Sequence, residues 1–433
     1  MSENYKYMIL LGDGMSDRPL VELDGKTPLE EAKTPNMDSI SSRGMIGLAR
    51  TIPEGMVKGS DIANLSVLGY DPASIYTGRS PLEAAGMGVE MHPDDVAFRF
   101  NLVTLGVADG NGVLTDLPPG ELDPGWVMVD FAGGHPTAEE AEGIVTSLAN
   151  GLKEEGVELH LGVSYRHLLV WREGIEELEV EAPHDITDRP VGDGWPKGPA
   201  ADKVLGIISR SMGILSDHPV NRERLKAGKS PINSVWLWGQ GKRPVLSAFM
   251  DRYGLEGAMI TAVDLLRGIG VSLGFKIINV PGATGYLDTN YEGKAQYALD
   301  ALADVDLVYV HVEAPDEASH GGSLPDKIRA IEDFDAKVVG PVLEGLESAG
   351  PCRVMVLPDH ATPLAMKTHS DDPVPFAAMD SRSSGLGSGF GYSEKSALAA
   401  GLKIENGHEL MGRFIKKIIF TFRSCIKHPQ DMQ

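Results

Sequence analysis

The chain has 433 residues, 42% hydrophobic and 23% charged, the balance of a globular protein long enough for two or three domains, or for one large α/β domain carrying an insertion. Its 39 Lys and Arg against 62 Asp and Glu leave a formal net charge of −23, which repels phosphate backbones and anionic lipid. Nucleic acid and membrane are therefore not expected partners, and a small anionic substrate would need metal ions or converging Arg and Lys to hold it.

Tyr7–Leu11 is a short apolar run closed by Gly12-Asp13-Gly14, the pattern of a buried parallel strand with a functional turn at its carboxyl end. Val96–Thr104 alternates apolar and polar residues, as a half-exposed strand does. Pro136–Glu155 reads as a helix capped by Thr137, and Val157–Arg172 and Glu177–Ala182 read as strands among loops rich in Gly, Pro and Asp. Further along, the apolar runs Lys276–Val280, Leu307–Val312 and Arg353–Leu357 are separated by the helical stretches Ala258–Leu273, Tyr291–Leu302 and Lys327–Leu346. Strand–helix repetition of this kind predicts a mostly parallel sheet between layers of helices. The expected organisation is α/β: a discontinuous core of residues 1–95 and 193–433, with a smaller α+β domain inserted over 96–192. The tail Phe414–Gln433, apolar and then basic, reads as a last helix with a frayed end. Two cysteines, Cys352 and Cys425, define no disulfide framework. The N-terminus has no basic-then-apolar leader, and no apolar run approaches the roughly 18–20 residues of a membrane span. A soluble cytoplasmic protein is expected.

Chemistry-bearing residues recur at strand ends. Asp13 follows the first strand, where a carboxylate either points into the ligand crevice of an α/β fold or bonds its own turn. Ser60, in Gly59-Ser60-Asp61, opens the apolar helical stretch Ile62–Leu68; it is either a helix cap or a nucleophile near free N–H groups that attract phosphate. Pro315-Asp316 and His320 follow the strand Leu307–Val312, and a helix starting at Pro315 would put Asp316 and His320 on one face, able to share a divalent ion. Pro358-Asp359-His360 follows Arg353–Leu357, and His369 precedes the prolyl stretch Asp372-Pro373-Val374-Pro375, read as a rigid loop. Together Asp13, Ser60, Asp316, His320, Asp359, His360 and His369 suit two divalent ions better than one. Mixed nitrogen and oxygen donors without thiolate suit Mn²⁺ or Zn²⁺, whereas Mg²⁺ prefers oxygen alone.

These motifs resemble those of the alkaline phosphatase superfamily. More narrowly, Gly59–Pro72 (GSDIANLSVLGYDP), Tyr76–Gly88 (YTGRSPLEAAGMG), His184-Asp185, Trp236–Gly241 (WLWGQG) and Asn406–Met411 are similar to archaeal-type cofactor-independent phosphoglycerate mutases, in order along nearly the whole chain. The resemblance implies an alkaline-phosphatase-like core and Ser60 as the nucleophile that becomes phosphoserine. It implies one ion on Asp13, Ser60, Asp359 and His360 and a second on Asp316, His320 and His369, most naturally Mn²⁺, with Zn²⁺, Co²⁺ or Mg²⁺ as alternatives and no 2,3-bisphosphoglycerate. Arg79, Arg166, His184 and Asp185 match positions near the substrate, a small phosphorylated molecule, and the inserted domain would act as a lid. The reaction implied is interconversion of 3- and 2-phosphoglycerate; a homoserine kinase or a phosphatase on the same scaffold is the alternative. Ser80 stands where the family pattern has Gly, and Lys58 where it has a small residue or Pro. The sequence assigns no oligomeric state.

Overall fold

The apolar run near the start of the chain becomes the central strand of a sheet. The computed structural model describes residues 5–108, 113–114, 117–118, 120–383 and 387–416. In chain order its strands are β1 (Lys6–Gly12), β2 (Met45–Ala49), β3 (Val96–Ala108), β4 (Val113–Leu114), β5 (Val127–Asp130), β6 (Val157–Val163), β7 (Arg166–Trp171), β8 (Ser234–Lys242), β9 (Gly257–Ile260), β10 (Lys276–Ile277), β11 (Leu307–Val312), β12 (Cys352–Leu357), β13 (Val374–Asp380) and β14 (Lys403–Ile404). The chain divides into two compact units, Met1–Tyr76 with Leu246–Gln433, and Thr77–Val245.

In the first unit eight strands form one sheet in the order β10-β9-β11-β1-β12-β13-β2-β14. Neighbours are parallel except where β13 meets β12 and β2, so β13 alone runs against the rest. Parallel strands need long crossovers, and the helices Asp264–Ser272, Tyr291–Ala301 and Leu324–Phe334 supply them. Strands β11 and β12 are buried along their whole length, which explains their unbroken apolar character. Register decides what meets at the carboxyl edge. Gly12 pairs with Val312 and Leu11 with Leu357, so Asp13, Glu313 and Asp359 leave the sheet at nearly the same level.

A buried ion pair ties the loops at that edge. Lys327, wholly buried, places its Nζ 2.8 Å from Asp17 Oδ2, also wholly buried, and donates to Thr362 O at 2.9 Å. Asp17 Oδ2 in turn accepts from the Leu364 N–H at 3.1 Å. The loops after β1 and β12 are thus joined through one ammonium.

The second unit is built on the long strand β3, which pairs antiparallel with β4, β5, β7 and β8. Helices Ala138–Leu152 and Ala201–Leu215 cover one face, closing a core of Phe98, Phe100, Leu148, Met212 and Trp236. Thr137 caps the first of these helices with a full capping box. This unit is wider at both ends than the 96–192 read from sequence. Strand β8 is a direct neighbour of β3, and the helix Ser80–Gly86 lies on β3 through Glu83, whose carboxylate meets Arg99 Nε at 3.0 Å.

Other local readings are corrected. Ala258–Leu273 is not one helix: β9 occupies Gly257–Ile260 and the helix begins at Asp264, because a four-residue buried strand has no periodicity to distinguish it from a helix start. Lys276–Val280 is strand only over Lys276–Ile277. Val157–Arg172 is a hairpin, β6 and β7, turned at Ser164 with φ 55°. Glu177–Ala182 is no strand and makes only a bridge from Glu179 to Lys197. Strand β3 is not half-exposed, since Arg99 and Asn101 on its polar face are buried. The prolyl stretch read as loop enters β13 at Val374. Pro375 is tolerated there because it lies beyond the last paired residue of β12, while its partner Leu48 turns its N–H away, to Leu402 O. Leu410–Ile415 is helical, while the tail from residue 417 on, with Cys425, lies outside the described residues. Among the described residues no helix is long and apolar enough to cross a membrane.

Removing one partner of a buried ion pair leaves the other charge uncompensated. Lys327→Ala is therefore expected to lower the free energy of unfolding by about 3–5 kcal/mol, measured by urea denaturation of the full chain.

Candidate active site at the carboxyl edge of the first sheet

Asp13 is fixed by its own backbone, which donates to Val312 O at 2.9 Å, and the turn that follows needs Gly14. Gly14 has φ +61°, and a Cβ there would lie 2.6 Å from Asp316 Oδ1 and 2.7 Å from Thr362 Oγ1. The 60–67 helix starts with Gly59 as its cap, so Ser60 is its first residue and not the cap. Its hydroxyl lies 3.1 Å from His360 Nε2. In the helix Ala314–His320, Pro315 is the second residue, and the four-residue spacing sets His320 Nε2 3.1 Å from Asp316 Oδ2. Asp359 Oδ2 accepts from Asn64 Nδ2 at 2.7 Å, and Oδ1 accepts from the His360 N–H at 2.9 Å. His369 Nε2 lies 3.6 Å from Asp316 Oδ1 and 3.0 Å from His320 Nε2. All seven residues read from sequence as one cluster therefore lie at this edge.

The three histidines share one orientation, which can be assigned from their partners. Asp316 as a carboxylate can only accept, so Thr362 Oγ1 donates to its Oδ1. The Thr362 oxygen is then the acceptor for His360 Nδ1–H at 3.1 Å, and His360 Nε2 is left with its lone pair toward Ser60 and Asp13. His320 donates from Nδ1 to Lys367 O at 2.9 Å, and His369 from Nδ1 to Lys58 O at 3.3 Å. Each Nδ1 is thus anchored on the protein while each Nε2 faces inward. Lys58, unexpected in the family pattern, supplies that anchor through its carbonyl, and its ammonium pairs with Asp371 at 2.9 Å.

The electrostatics are those of crowded, buried charge. Burial, and then the charges of Asp359, Glu313 and Asp316, hold the Asp13 carboxyl well above the usual range. Burial and the Asp316 charge push Glu313 up to about 8. Burial would also raise Asp316, but hydrogen bonds from His320 and His369 hold it well below. Burial keeps His360 neutral down to about 4. Burial opposes the proton on His320, yet the Asp316 carboxylate outweighs it and carries the imidazole up to about 9.

Among the described residues three groups bring together donors that could hold a metal ion: Asp13, Asp359 and His360; Asp316, His360 and His369; and Asp13, His311 and Glu313. The donors fit divalent cations. Asp13 Oδ1 is wholly buried with no hydrogen-bond partner, and the facing His360 Nε2 carries a lone pair. Sequence reasoning missed His311, Glu313, Asn64 and Thr362. Only the polar letters within the buried run Leu307–Val312 could have signalled His311.

Arg79, Arg166, His184 and Asp185 belong to the second unit. Arg79 and Arg99 share Glu83, at 3.4 and 3.0 Å, and the Arg99 guanidinium lies 4.7 Å over the Trp238 ring. His184 meets the same ring edge-on at 5.3 Å. Burial, and then the charges of Arg79 and Arg166, depress Arg99 to about 10. Three arginines thus converge there; Asp185, 3.9 Å from His184, is largely exposed. Arg99 was not singled out because its strand reads as half-exposed. Ser80, where the family pattern has Gly, donates to Gly239 O at 2.6 Å.

Comparison with known proteins places the chain in a family. A family model described as 2,3-bisphosphoglycerate-independent phosphoglycerate mutase matches residues 41–221. A Geobacter sulfurreducens protein named as a probable enzyme of that kind is 51% identical, covering 94% of this chain and 98% of the relative. The chain belongs to the 2,3-bisphosphoglycerate-independent phosphoglycerate mutase family. The Methanosarcina acetivorans mutase is 46% identical, covering 95% of this chain and all of its own (100%). Among solved structures, a Pyrococcus horikoshii protein is 28% identical with a TM-score of 0.76, covering 96% and 98% of the two chains. The cofactor-independent phosphoglycerate mutase of Thermoplasma acidophilum is 27% identical with a TM-score of 0.63, covering 95% and 99%.

The His320 proton is a direct readout of the cluster. In metal-free protein its imidazole is expected to titrate near 9, and Asp316→Asn to lower that value, followed by NMR of the histidine rings. Because its folded value lies above the unfolded one, the stabilisation it contributes is fully present below pH 6.5 and is lost as pH rises through about 9.

Proposed function

We propose that the chain interconverts 3-phosphoglycerate and 2-phosphoglycerate through a phosphoserine on Ser60, without 2,3-bisphosphoglycerate. The observation that carries this reading is the Ser60 hydroxyl, first in its helix and 3.1 Å from His360, beside a buried set of Asp and His donors. Its setting in a chain 51% identical to a probable mutase over 94% of its length supports the same reading. Asp13, Ser60, Asp359 and His360 would hold one divalent ion and Asp316, His320 and His369 the other, Mn²⁺ first, with Zn²⁺, Co²⁺ or Mg²⁺ as alternatives. Bound there, the ions supply Lewis-acid polarisation of phosphoryl oxygens and a lowered pKa for the serine hydroxyl.

The residues account for the steps. Ser60 Oγ forms the bond to phosphorus as the ester oxygen of the substrate leaves and takes up a proton. The other hydroxyl of glycerate then gives up its proton as it takes the phosphoryl group back, and Ser60 is regenerated. Ser60 opens the 60–67 helix at the positive end of its dipole, which would favour the transferring anion. The arginines Arg79, Arg99 and Arg166 with His184 are proposed to bind the substrate's anionic groups, a local positive site in a chain of net charge −23. The substrate is a small phosphorylated molecule, and the cytoplasm is the proposed location.

Ser60→Ala is expected to fold and to lose at least about 10⁴-fold in turnover, since nucleophilic catalysis is removed outright. Metal-stripped protein is expected to be inactive and to recover with Mn²⁺. The assay follows 2-phosphoglycerate from 3-phosphoglycerate by coupling to enolase, with Mn²⁺ and no bisphosphoglycerate, and measures free phosphate in parallel. Phosphate and glycerate without 2-phosphoglycerate would make the protein a phosphatase. Nucleotide-dependent phosphorylation of homoserine in place of either would make it a kinase.

A further inference from the structure

Four histidines come near the carboxylates at this edge, and one differs from the rest in the role of its Nδ1. His311 lies in β11, wholly buried, with Nε2 2.8 Å from Asp13 Oδ2. Its Nδ1 lies 3.1 Å from Thr261 Oγ1. Asp13 as a carboxylate can only accept, so the hydrogen of the neutral His311 ring lies on Nε2 and points to Asp13 Oδ2. Nδ1 is then a lone pair, and the Thr261 hydroxyl, whose oxygen also accepts the Val263 N–H at 3.1 Å, turns its hydrogen to it. His360, His320 and His369 each anchor Nδ1 and turn Nε2 inward, whereas His311 anchors Nδ1 as an acceptor and donates from Nε2.

We propose that His311, held in one tautomer between the Asp13 carboxylate and the Thr261 hydroxyl, is a positioning residue that occupies Oδ2 of Asp13 and leaves Oδ1 as that carboxylate's one oxygen free to ligate. Asp13 Oδ1 has no hydrogen-bond partner and is 3.4 Å from His360 Nε2, whereas Oδ2 is taken. A carboxylate with both oxygens free could rotate about its terminal bond or chelate through both; one with Oδ2 bonded presents a single oxygen in one direction. A ligand whose rotation is arrested before binding loses less entropy on binding. The backbone adds a further restraint, because buried Lys294 donates its Nζ to His311 O at 2.9 Å. His311 therefore belongs with the groups that aim a ligand, although it lies within 4.8 Å of Asp13 and Glu313 in a cluster that could itself be read as a cation site.

The inference rests on Asp13 being a metal ligand, and the experiment separates the two. Metal-free protein is titrated with Mn²⁺ against a chelating indicator, giving stoichiometry and dissociation constants with no turnover involved. Asp13→Asn tests the ligand itself: if it binds as much Mn²⁺ as tightly as the parent, the reading of Asp13 as a ligand fails. With that ligand established, His311→Leu, which fills the space but donates nothing, is expected to weaken one of the two sites about 10- to 100-fold. His311→Gln, which can present an N–H near the position of Nε2, is expected to recover most of that loss. Equal affinity in His311→Leu and the parent overturns the proposal, and so does equal weakening in the Leu and Gln variants, which would mean that only packing is at stake. Thr261→Val covers the case in which a core His311 variant does not fold. Nitrogen-15 shifts of His311 in the metal-free parent should report hydrogen on Nε2, and in Thr261→Val a mixture of tautomers with weaker Mn²⁺ binding. A parent ring protonated on Nδ1, or a Thr261→Val protein with unchanged shifts and affinity, also overturns it.

Discussion

Four carboxylates, those of Asp13, Glu313, Asp316 and Asp359, meet in a largely buried region, and much of the first unit can be understood as the means of keeping them there. Packing like charges at low dielectric is costly, and the protein answers with graded neutralisation. Asp316 is matched by two imidazoles and a threonine hydroxyl. Asp359 is matched by an asparagine amide and backbone N–H groups. Asp13 and Glu313 are left least compensated, and these are the two whose carboxyls burial and neighbouring charge push upward. A site in this condition has a strong electrostatic demand for cations, which accords with the proposed pair of metal ions and with the acidity of the chain as a whole.

The scaffold meets that demand with rigid elements. Strand β11 presents Val308, Val310 and Val312 to one core, while on its other face Tyr309 reaches Asn64, which bonds Asp359, and His311 reaches Asp13. The strand thus carries apolar packing on one side and orientation of two carboxylates on the other, a division that the two-residue repeat makes available. Lys327 plays the corresponding role for the loops, since one ammonium bonds Asp17 and the Thr362 carbonyl together. Atoms that act on a phosphoryl group must be held within a fraction of an ångström, and supports of this kind allow it.

The second unit answers the opposite electrostatic problem. Arg79, Arg99 and Arg166 gather where a single glutamate, Glu83, pairs with two of them, and Trp238 gives Arg99 and His184 a common aromatic wall. Cations concentrated in this way are what the proposed binding of a substrate carboxylate or phosphate requires in a chain whose overall charge would repel it.

The sequence alone determined the kind of chemistry. Residue type and position after a β1-, β11- or β12-like apolar run singled out Asp13, Asp316, His320, Asp359 and His360, while Ser60 is read at a helix start and His369 before a prolyl stretch. The parallel layering was legible for the same reason. Other features were not legible, because they depend on what lies across the sheet. Short buried strands such as β9 have no period of their own, and β2 and β13 pair with each other only through contacts more than 300 residues apart. Arg99 looked like a solvent-facing residue until the 80–86 helix covered it. His311 looked like a stray polar letter in a core strand until Thr261 and Asp13 closed on its two nitrogens. Which tautomer each histidine holds, and so which nitrogen faces the carboxylates, was decided by the tertiary structure alone, because a proton's place on an imidazole is set by the partner folded against it.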